Sequence, residues 1–309
     1  MKIFISGSNG MVGRNLLENE DITKHDILKP PSSELNLLNF NDIKIYLKKT
    51  KPDMIIHCAG KVGGIQANMK DMYKFFTENA LMGINLVKAA KEHGIKKFLN
   101  LSSSCTYPRN YKNPLKEEYI LQAELEPTNE GYALAKLSIL KMCEYISREY
   151  PGYQYKTFIP CNLYGRWDKF DEANSHMIPA VIKKIYNAVV SKLPEIEIWG
   201  DGTARREFMY ASDLASCVAK AIENFEDVPS VMNVGLGFDY SINEYYETIK
   251  KILEYKGSFI YNTSMPVGMK QKLLNIDLQS KWGWKPQVSL EQGIERTYQF
   301  FLGYVNDKV

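Results

Sequence analysis

The chain has 309 residues, of which 45% are hydrophobic, 12% aromatic and 24% charged, a composition that excludes disordered, collagen-like and low-complexity proteins. Its 39 basic residues against 36 acidic ones give a net charge of +3, too mild a balance for a nucleic-acid-binding surface. No run approaches the ~18 apolar residues that a membrane helix needs, and five scattered cysteines without CxxC spacing argue against a disulfide framework or a zinc site. A reducing, cytoplasmic setting is expected, and an N-terminus that opens directly on Met-Lys-Ile-Phe-Ile leaves no room for a signal peptide.

In chain order, Lys2 to Ser6 reads as a strand, followed by a glycine-rich turn and a helix to about Glu20. His25 to Lys29 is a candidate second strand, and after Asp42 an amphipathic helix runs to about Lys51. Met54 to Ala59 is a third strand, and a long helical pattern covers Met72 to His93, with Gly94 in a C-cap position. Lys97 to Ser102 is a strand, Tyr132 to Tyr150 a helix ended by Pro151-Gly152, and Tyr155 to Ile159 a strand. Beyond Tyr164 the pattern is irregular to Ser175. A helix with a basic face from about Ile178 to Val190 and a strand from Glu195 to Trp199 follow. Then come a helix over Asp213 to Glu223, a strand at Val231 to Val234 able to rejoin the main sheet, and a last helix from about Leu290 to Leu302.

Continuous apolar strands alternating with helices predict an α/β fold, a Rossmann-type doubly wound parallel sheet with a smaller C-terminal α/β substrate lobe. Residues 1–165 plus about 209–238 are expected to form the dinucleotide-binding domain, and about 166–208 plus 239–309 the lobe.

Gly7-Ser8-Asn9-Gly10-Met11-Val12-Gly13 lies between the first strand and the first helix with GxxGxxG spacing. Gly7 permits a tight turn, Gly10 lets backbone N–H groups approach a pyrophosphate, and Gly13 permits close helix packing. The helix N-terminus adds unsatisfied donors and a positive dipole end. The second strand ends Ile27-Leu28-Lys29-Pro30-Pro31-Ser32-Ser33, without the carboxylate that binds a ribose 2′-hydroxyl. Lys29 and the serines suit a 2′-phosphate, so NADP(H) is the expected cofactor.

Tyr132 and Lys136 are one helical turn apart on the same face, so the ammonium is expected to lower the tyrosine pKa towards working pH. Just after a strand, Ser102-Ser103-Ser104-Cys105-Thr106-Tyr107-Pro108 offers a hydroxyl to a substrate carbonyl. Serine at a strand end, YxxxK on the next helix and an N-terminal glycine loop resemble the extended short-chain dehydrogenase/reductases. Within that superfamily further motifs resemble the GDP-L-fucose synthase family. They are Lys61-Val-Gly-Gly-Ile65, Ser103-Ser-Cys105-Thr-Tyr-Pro108, Glu126-Pro-Thr-Asn-Glu130, Asn162-Leu-Tyr-Gly165, Asn174-Ser-His176-Met-Ile-Pro179, Trp199-Gly-Asp-Gly202, Arg206-Glu-Phe208 and Lys272-Leu-Leu274.

That resemblance implies reduction by NADPH at C4 of a GDP-4-keto-6-deoxy sugar, hexose or heptose, preceded by epimerisation at C3 and C5. It implies Tyr132 as proton donor, Lys136 as its cationic neighbour, Ser103 as carbonyl partner, and Cys105 and His176 as the epimerising acid/base pair. If the strand persisted through Ser103, Cys105 would share its face. Further cofactor contacts are implied at Ala59, Leu101, Ser102, Pro160, Asn162, Leu163 and His176. Substrate contacts are implied at Ser103, Ser104, Asn162, Lys184, Trp199, Arg206 and Lys272. Lys184 stands where the family can use Arg, and Pro266-Val267-Gly268-Met269 lacks the Asp common there. Ser8-Asn9 replaces a basic residue often found near the 2′-phosphate. A homodimer built on the helices around Met72 to His93 and Tyr132 to Tyr150 is also implied. Three alternatives remain. One is a C4 reductase without epimerase activity, another an NAD-retaining nucleotide-sugar 4-epimerase, and the third a non-catalytic NADP sensor on the same scaffold.

Overall fold

The computed structural model describes residues 1–171, 175–265 and 268–306. Asn174 of the His176 motif, and Pro266 and Val267 of the segment lacking an Asp, lie outside them.

The first half runs β1 (Lys2–Ser6), α1 (Met11–Leu17), α2 (Glu20–Thr23), β2 (Asp26–Leu28), α3 (Phe40–Thr50) and β3 (Met54–His57). It continues through α4 (Ile65–Lys70), α5 (Met72–Glu92), β4 (Lys97–Leu101), α6 (Glu130–Glu149) and β5 (Gln154–Pro160). The second half opens with β6 (Asn162–Tyr164), α7 (Met177–Val190), β7 (Glu195–Trp199), β8 (Arg205–Arg206), β9 (Phe208–Tyr210) and α8 (Ala211–Glu223). It closes with β10 (Val231–Val234), β11 (Tyr240–Ser241), α9 (Ile242–Ile252), β12 (Ser258–Asn262), β13 (Gln271–Lys272), α10 (Asp277–Trp282) and α11 (Leu290–Asn306).

Six strands form one sheet in the order β10-β5-β4-β3-β1-β2, every pair parallel, so Val231–Val234 does rejoin it. Side chains alternate across the sheet and build two separate apolar layers. Ile3, Ile5, Met54, Ile56, Leu99 and Leu101 pack towards one, with Leu16 of α1 and Leu214 and Val218 of α8. Phe4, Ile55, Phe98 and Tyr155 pack towards the other, with Ile43 and Leu47 of α3, Leu86 of α5 and Ile139 of α6. Such strands, apolar on both faces, require helices on both sides, which is the doubly wound architecture.

A third apolar cluster joins α7, β7, α9, β12 and α11 around Ile178, Ile182, Ile198, Tyr245 and Ile294. Helix α7 buries Ile178, Val181, Ile182 and Ile185, so its expected basic face is a small part of a mainly apolar helix. Leu274 and Trp284, late in the chain, belong instead to the first cluster beside β10. Sequence periodicity did not mark α9, although Ser241 and Glu244 form a reciprocal capping box at its start. Among the described residues no helix is long and apolar enough to cross a membrane.

The strand through Lys97 stops at Leu101, and Ser103 then caps a single 3-10 turn over Ser104–Thr106. The expected alternation of Ser103 and Cys105 on one strand face therefore does not occur. The Ser103 hydroxyl accepts the Cys105 N–H at 3.2 Å, a local bond that competes with strand extension.

Phe98 lies wholly buried against Tyr155, with ring centroids 5.1 Å apart. Phe98→Ala is expected to destabilise the fold by about 3–5 kcal/mol, read as a lower urea midpoint at unchanged slope.

Candidate active site

The parallel strands all end on one side of the sheet, and the loops that follow them enclose one cavity. Gly7, Gly10, Met11, Val12 and Gly13 form one wall of it. Gly7 has φ +72°, and a Cβ there would lie 2.6 Å from the Ala59 backbone. A Cβ on Gly13 would strike the Gly7 carbonyl and Ser8 Cα. Gly10 caps α1 without a side-chain hydrogen bond, so no side chain covers the first N–H groups of the helix. Ser8 is buried and donates to the Lys29 carbonyl at 3.4 Å, which sets the end of β2 beside the loop. Ser8, Asn9 and Lys29, expected cofactor contacts, are not on the cavity lining; Asn9 and Lys29 are exposed, and the Asn9 carbonyl accepts from Arg14.

The opposite wall comes from the ends of β4 and β5 and from α6. Leu101, Ser102, Ser103, Cys105, Tyr132, Lys136, Pro160, Asn162, Leu163 and His176 all line the cavity. Lys136 is 4% exposed, and its ammonium donates to the Leu101 carbonyl at 3.0 Å. Burial brings this lysine down to about 8. The Tyr132 phenol moves the other way. Burial, then the neighbouring Cys105, push it well above the usual tyrosine value, opposed by a side-chain hydrogen bond with Ser103. The expected lowering by Lys136 is absent: the ammonium lies 5.9 Å from the ring centroid and is committed to the Leu101 carbonyl.

Cys105 Sγ accepts from Asn129 Nδ2 at 3.2 Å and from Lys272 Nζ at 3.6 Å. His176 occupies the N-cap position of α7 without a side-chain hydrogen bond, and burial, then nearby Lys169, lower its imidazole below the usual histidine value. Cys58, also on the lining, is pushed up to about 12 by burial and is an inert thiol.

Other expected site residues lie elsewhere. Ser104 is buried and does not line the cavity, because the 3-10 turn carries its side chain inward. Ala59 supports Gly7 from behind. Lys184 donates to the Glu197 carbonyl at 2.6 Å, and half-exposed Trp199 donates to the Glu197 carboxylate at 3.1 Å. Arg206 donates to the Arg205 carbonyl at 2.7 Å and lies 3.5 Å from the position of a Gly268 Cβ. Of the cations assigned to substrate, Lys272 is the one joined to a cavity residue by a hydrogen bond among the described residues.

Residue-level reading missed Asn129, Gly60, Val62, Gly63 and Asn68, all on the lining. Asn129 carried a signal, since it falls inside the Glu126-Pro-Thr-Asn-Glu130 motif. The buried Asn129 Oδ1 and Ser102 Oγ have no hydrogen-bond partner among the described residues, so both remain open to a ligand.

Residues 3–235 match the NAD dependent epimerase/dehydratase family. The chain belongs to that family. A GDP-L-colitose synthase from Yersinia pseudotuberculosis is 55% identical over 307 residues, 99% of this chain and 100% of that protein. A GDP-L-fucose synthase from Escherichia coli strain K12 is 37% identical, over 97% of this chain and 96% of its own. A GDP-mannoheptose C4 reductase from Campylobacter jejuni, solved with NADP bound, superposes with a TM-score of 0.88 at 29% identity, covering 97% of this chain and 98% of that one.

The buried ammonium of this epimerase/dehydratase fold has a measurable cost. Unfolded lysine keeps its proton to about 10.5, whereas folded Lys136 releases it near 8, so the unfolded state binds more protons between the two. The stability of the wild type relative to Lys136→Met should therefore rise as pH increases through 8, measured as the difference in urea midpoints below and above that value.

Proposed function

We propose that this chain reduces C4 of a GDP-4-keto-6-deoxy sugar with NADPH, after inverting one or both carbons flanking the ketone. The observation that carries this reading is the meeting of Ser103, Tyr132 and Lys136 with Cys105 and His176 on one cavity that also exposes the glycine loop. Its relatives named as GDP-L-colitose and GDP-L-fucose synthases support the substrate class.

The residues present fit a dinucleotide. The cradle between Gly7 and Gly13 has room only for backbone, and α1 presents its N-terminus there. Lys29 at the end of β2, with no carboxylate from Ile27 to Ser33, supports the 2′-phosphate form. When bound, NADPH supplies the hydride to the carbonyl carbon.

Protons next to a ketone are acidic because the carbonyl oxygen can hold the enolate charge. Inversion needs one group to remove such a proton and another to return one on the opposite side. Cys105, held by two donors, takes the first role, and His176, with a proton on its imidazole, the second. For reduction, Tyr132 gives its proton to the C4 oxygen while Ser103 holds that oxygen. The raised phenol is protonated at neutral pH, the state a donor needs. Lys136 holds a positive charge below pH of about 8 beside this centre.

We place the nucleotide end of the substrate between the sheet domain, residues 1–165 plus about 209–238, and the lobe of about 166–208 plus 239–309. Lys184, Trp199 and Arg206 belong to α7, β7 and β8 of that lobe. The free cysteines among the described residues support a cytoplasmic setting. The packing of α5 along α6, with Tyr73, Phe76, Leu134 and Tyr145 exposed on them, supports a homodimer through these helices. Sedimentation should give about twice the chain mass, and Tyr145→Glu should shift it towards monomer. Monomer alone in the wild type would remove that part of the reading.

The likeness to a GDP-mannoheptose C4 reductase favours a second reading, reduction without epimerisation. Incubation with GDP-4-keto-6-deoxy-mannose and NADPH in heavy water, followed by NMR, separates the two. Deuterium at C3 or C5 of a reduced product is expected, and reduction with no label at either carbon would select the simple reductase. Tyr132→Phe should lower the reduction rate at least 100-fold, in line with the usual worth of a general acid. Turnover at the wild-type rate would overturn the assignment.

A further inference from the structure

The sulfur of Cys105 is approached by two donors from distant parts of the chain. Asn129, at the start of α6, brings its amide to 3.2 Å, and Lys272, in β13, brings its ammonium to 3.6 Å. A thiol is a weak acceptor and a thiolate a strong one, and a nearby cation favours the thiolate. Among the described residues, the sulfur is the sole hydrogen-bond partner of the Lys272 ammonium, and no carboxylate pairs with it.

The backbone beneath Lys272 is tied at several points. The Leu273 N–H donates to Asn113 Oδ1 at 3.0 Å, and the Leu273 carbonyl accepts from the Leu115 N–H at 2.7 Å. The Leu274 N–H donates to Glu207 Oε2 at 2.9 Å, and Gln271 Nε2 to Asp239 Oδ2 at 2.7 Å. A strand anchored on both sides of Lys272 aims its side chain rather than leaving it to solvent.

We infer that Lys272 and Asn129 are positioning residues that hold Cys105 as a thiolate facing the cavity, ready to accept a proton from a carbon beside the substrate ketone. The inference rests on the epimerase part of the reading above. The C–H proton moves to sulfur, its electron pair enters the enolate, and Lys272 keeps its own proton throughout. Burial raises the Tyr132 phenol and the adjacent Cys105 adds to it, which keeps the later proton donor protonated. Lys272, assigned to substrate by resemblance, thereby acts through Cys105.

The test uses the full chain with saturating NADP and no sugar. Iodoacetamide labelling of Cys105 is followed by peptide mass mapping at neutral pH. Lys272→Met should slow labelling about tenfold, the worth of one charge-assisted hydrogen bond. Lys272→Arg should restore most of the rate, and Asn129→Ala should give a smaller loss. A variant that merely loosened the fold would instead expose the buried Cys143 and Cys217 to the reagent. An unchanged Cys105 rate in Lys272→Met, or a loss that arginine does not rescue, overturns the inference. With substrate in heavy water, deuterium entry should fall by a larger factor than reduction in Lys272→Met. If the wild type takes up no deuterium while Cys105 labelling still depends on Lys272, the epimerase reading fails and the Lys272–Cys105 pair stands.

Discussion

One buried contact ties the two halves of the catalytic wall together. The Lys136 ammonium reaches across from α6 to the Leu101 carbonyl, the last residue of β4, and closes the cavity floor. Because Ser103 follows Leu101 by two residues and Tyr132 precedes Lys136 by one helical turn, this contact sets serine against tyrosine. A buried ammonium with one carbonyl partner is costly to hold. The sheet supplies the compensation, since β4 is buried on both faces and cannot shift without opening two apolar layers.

Desolvation dominates the electrostatics of the site. It raises Tyr132, lowers Lys136 to about 8, takes Cys58 up to about 12 and lowers His176. Each group is therefore driven towards its uncharged form, except where a specific partner intervenes. Cys105 is the exception in contacts, with a cation and an amide aimed at its sulfur. That difference separates an inert cysteine from one equipped for proton transfer within the same cavity wall.

A buried carboxyl gathers several segments of the second half of the chain at one point. Glu207 accepts backbone N–H groups from Leu236 at 2.6 Å, Gly237 at 3.0 Å and Leu274 at 2.9 Å. The Asn162 side chain donates to the Glu207 carbonyl at 2.9 Å, joining β6 to the same point. Burial brings this carboxyl up to about 7 even so. The strand that carries Lys272 and the loop after β10 are thus registered against the cavity from behind.

Local pattern made much of this readable. The six sheet strands are short apolar runs, the glycine loop lies between strand and helix, and Tyr132 and Lys136 are related by helical spacing alone. Those features follow from chain periodicity and from the backbone room that glycine leaves, both of which are local properties. The burial of the Ser104 side chain depended on neighbours distant in sequence. So did the direction of the Tyr132 shift and the arrival of Lys272 at Cys105, 167 residues away. Burial and long-range hydrogen bonds exist only once the strands have paired. The sequence alone therefore determined which groups were available, and tertiary packing decided which were charged and which met.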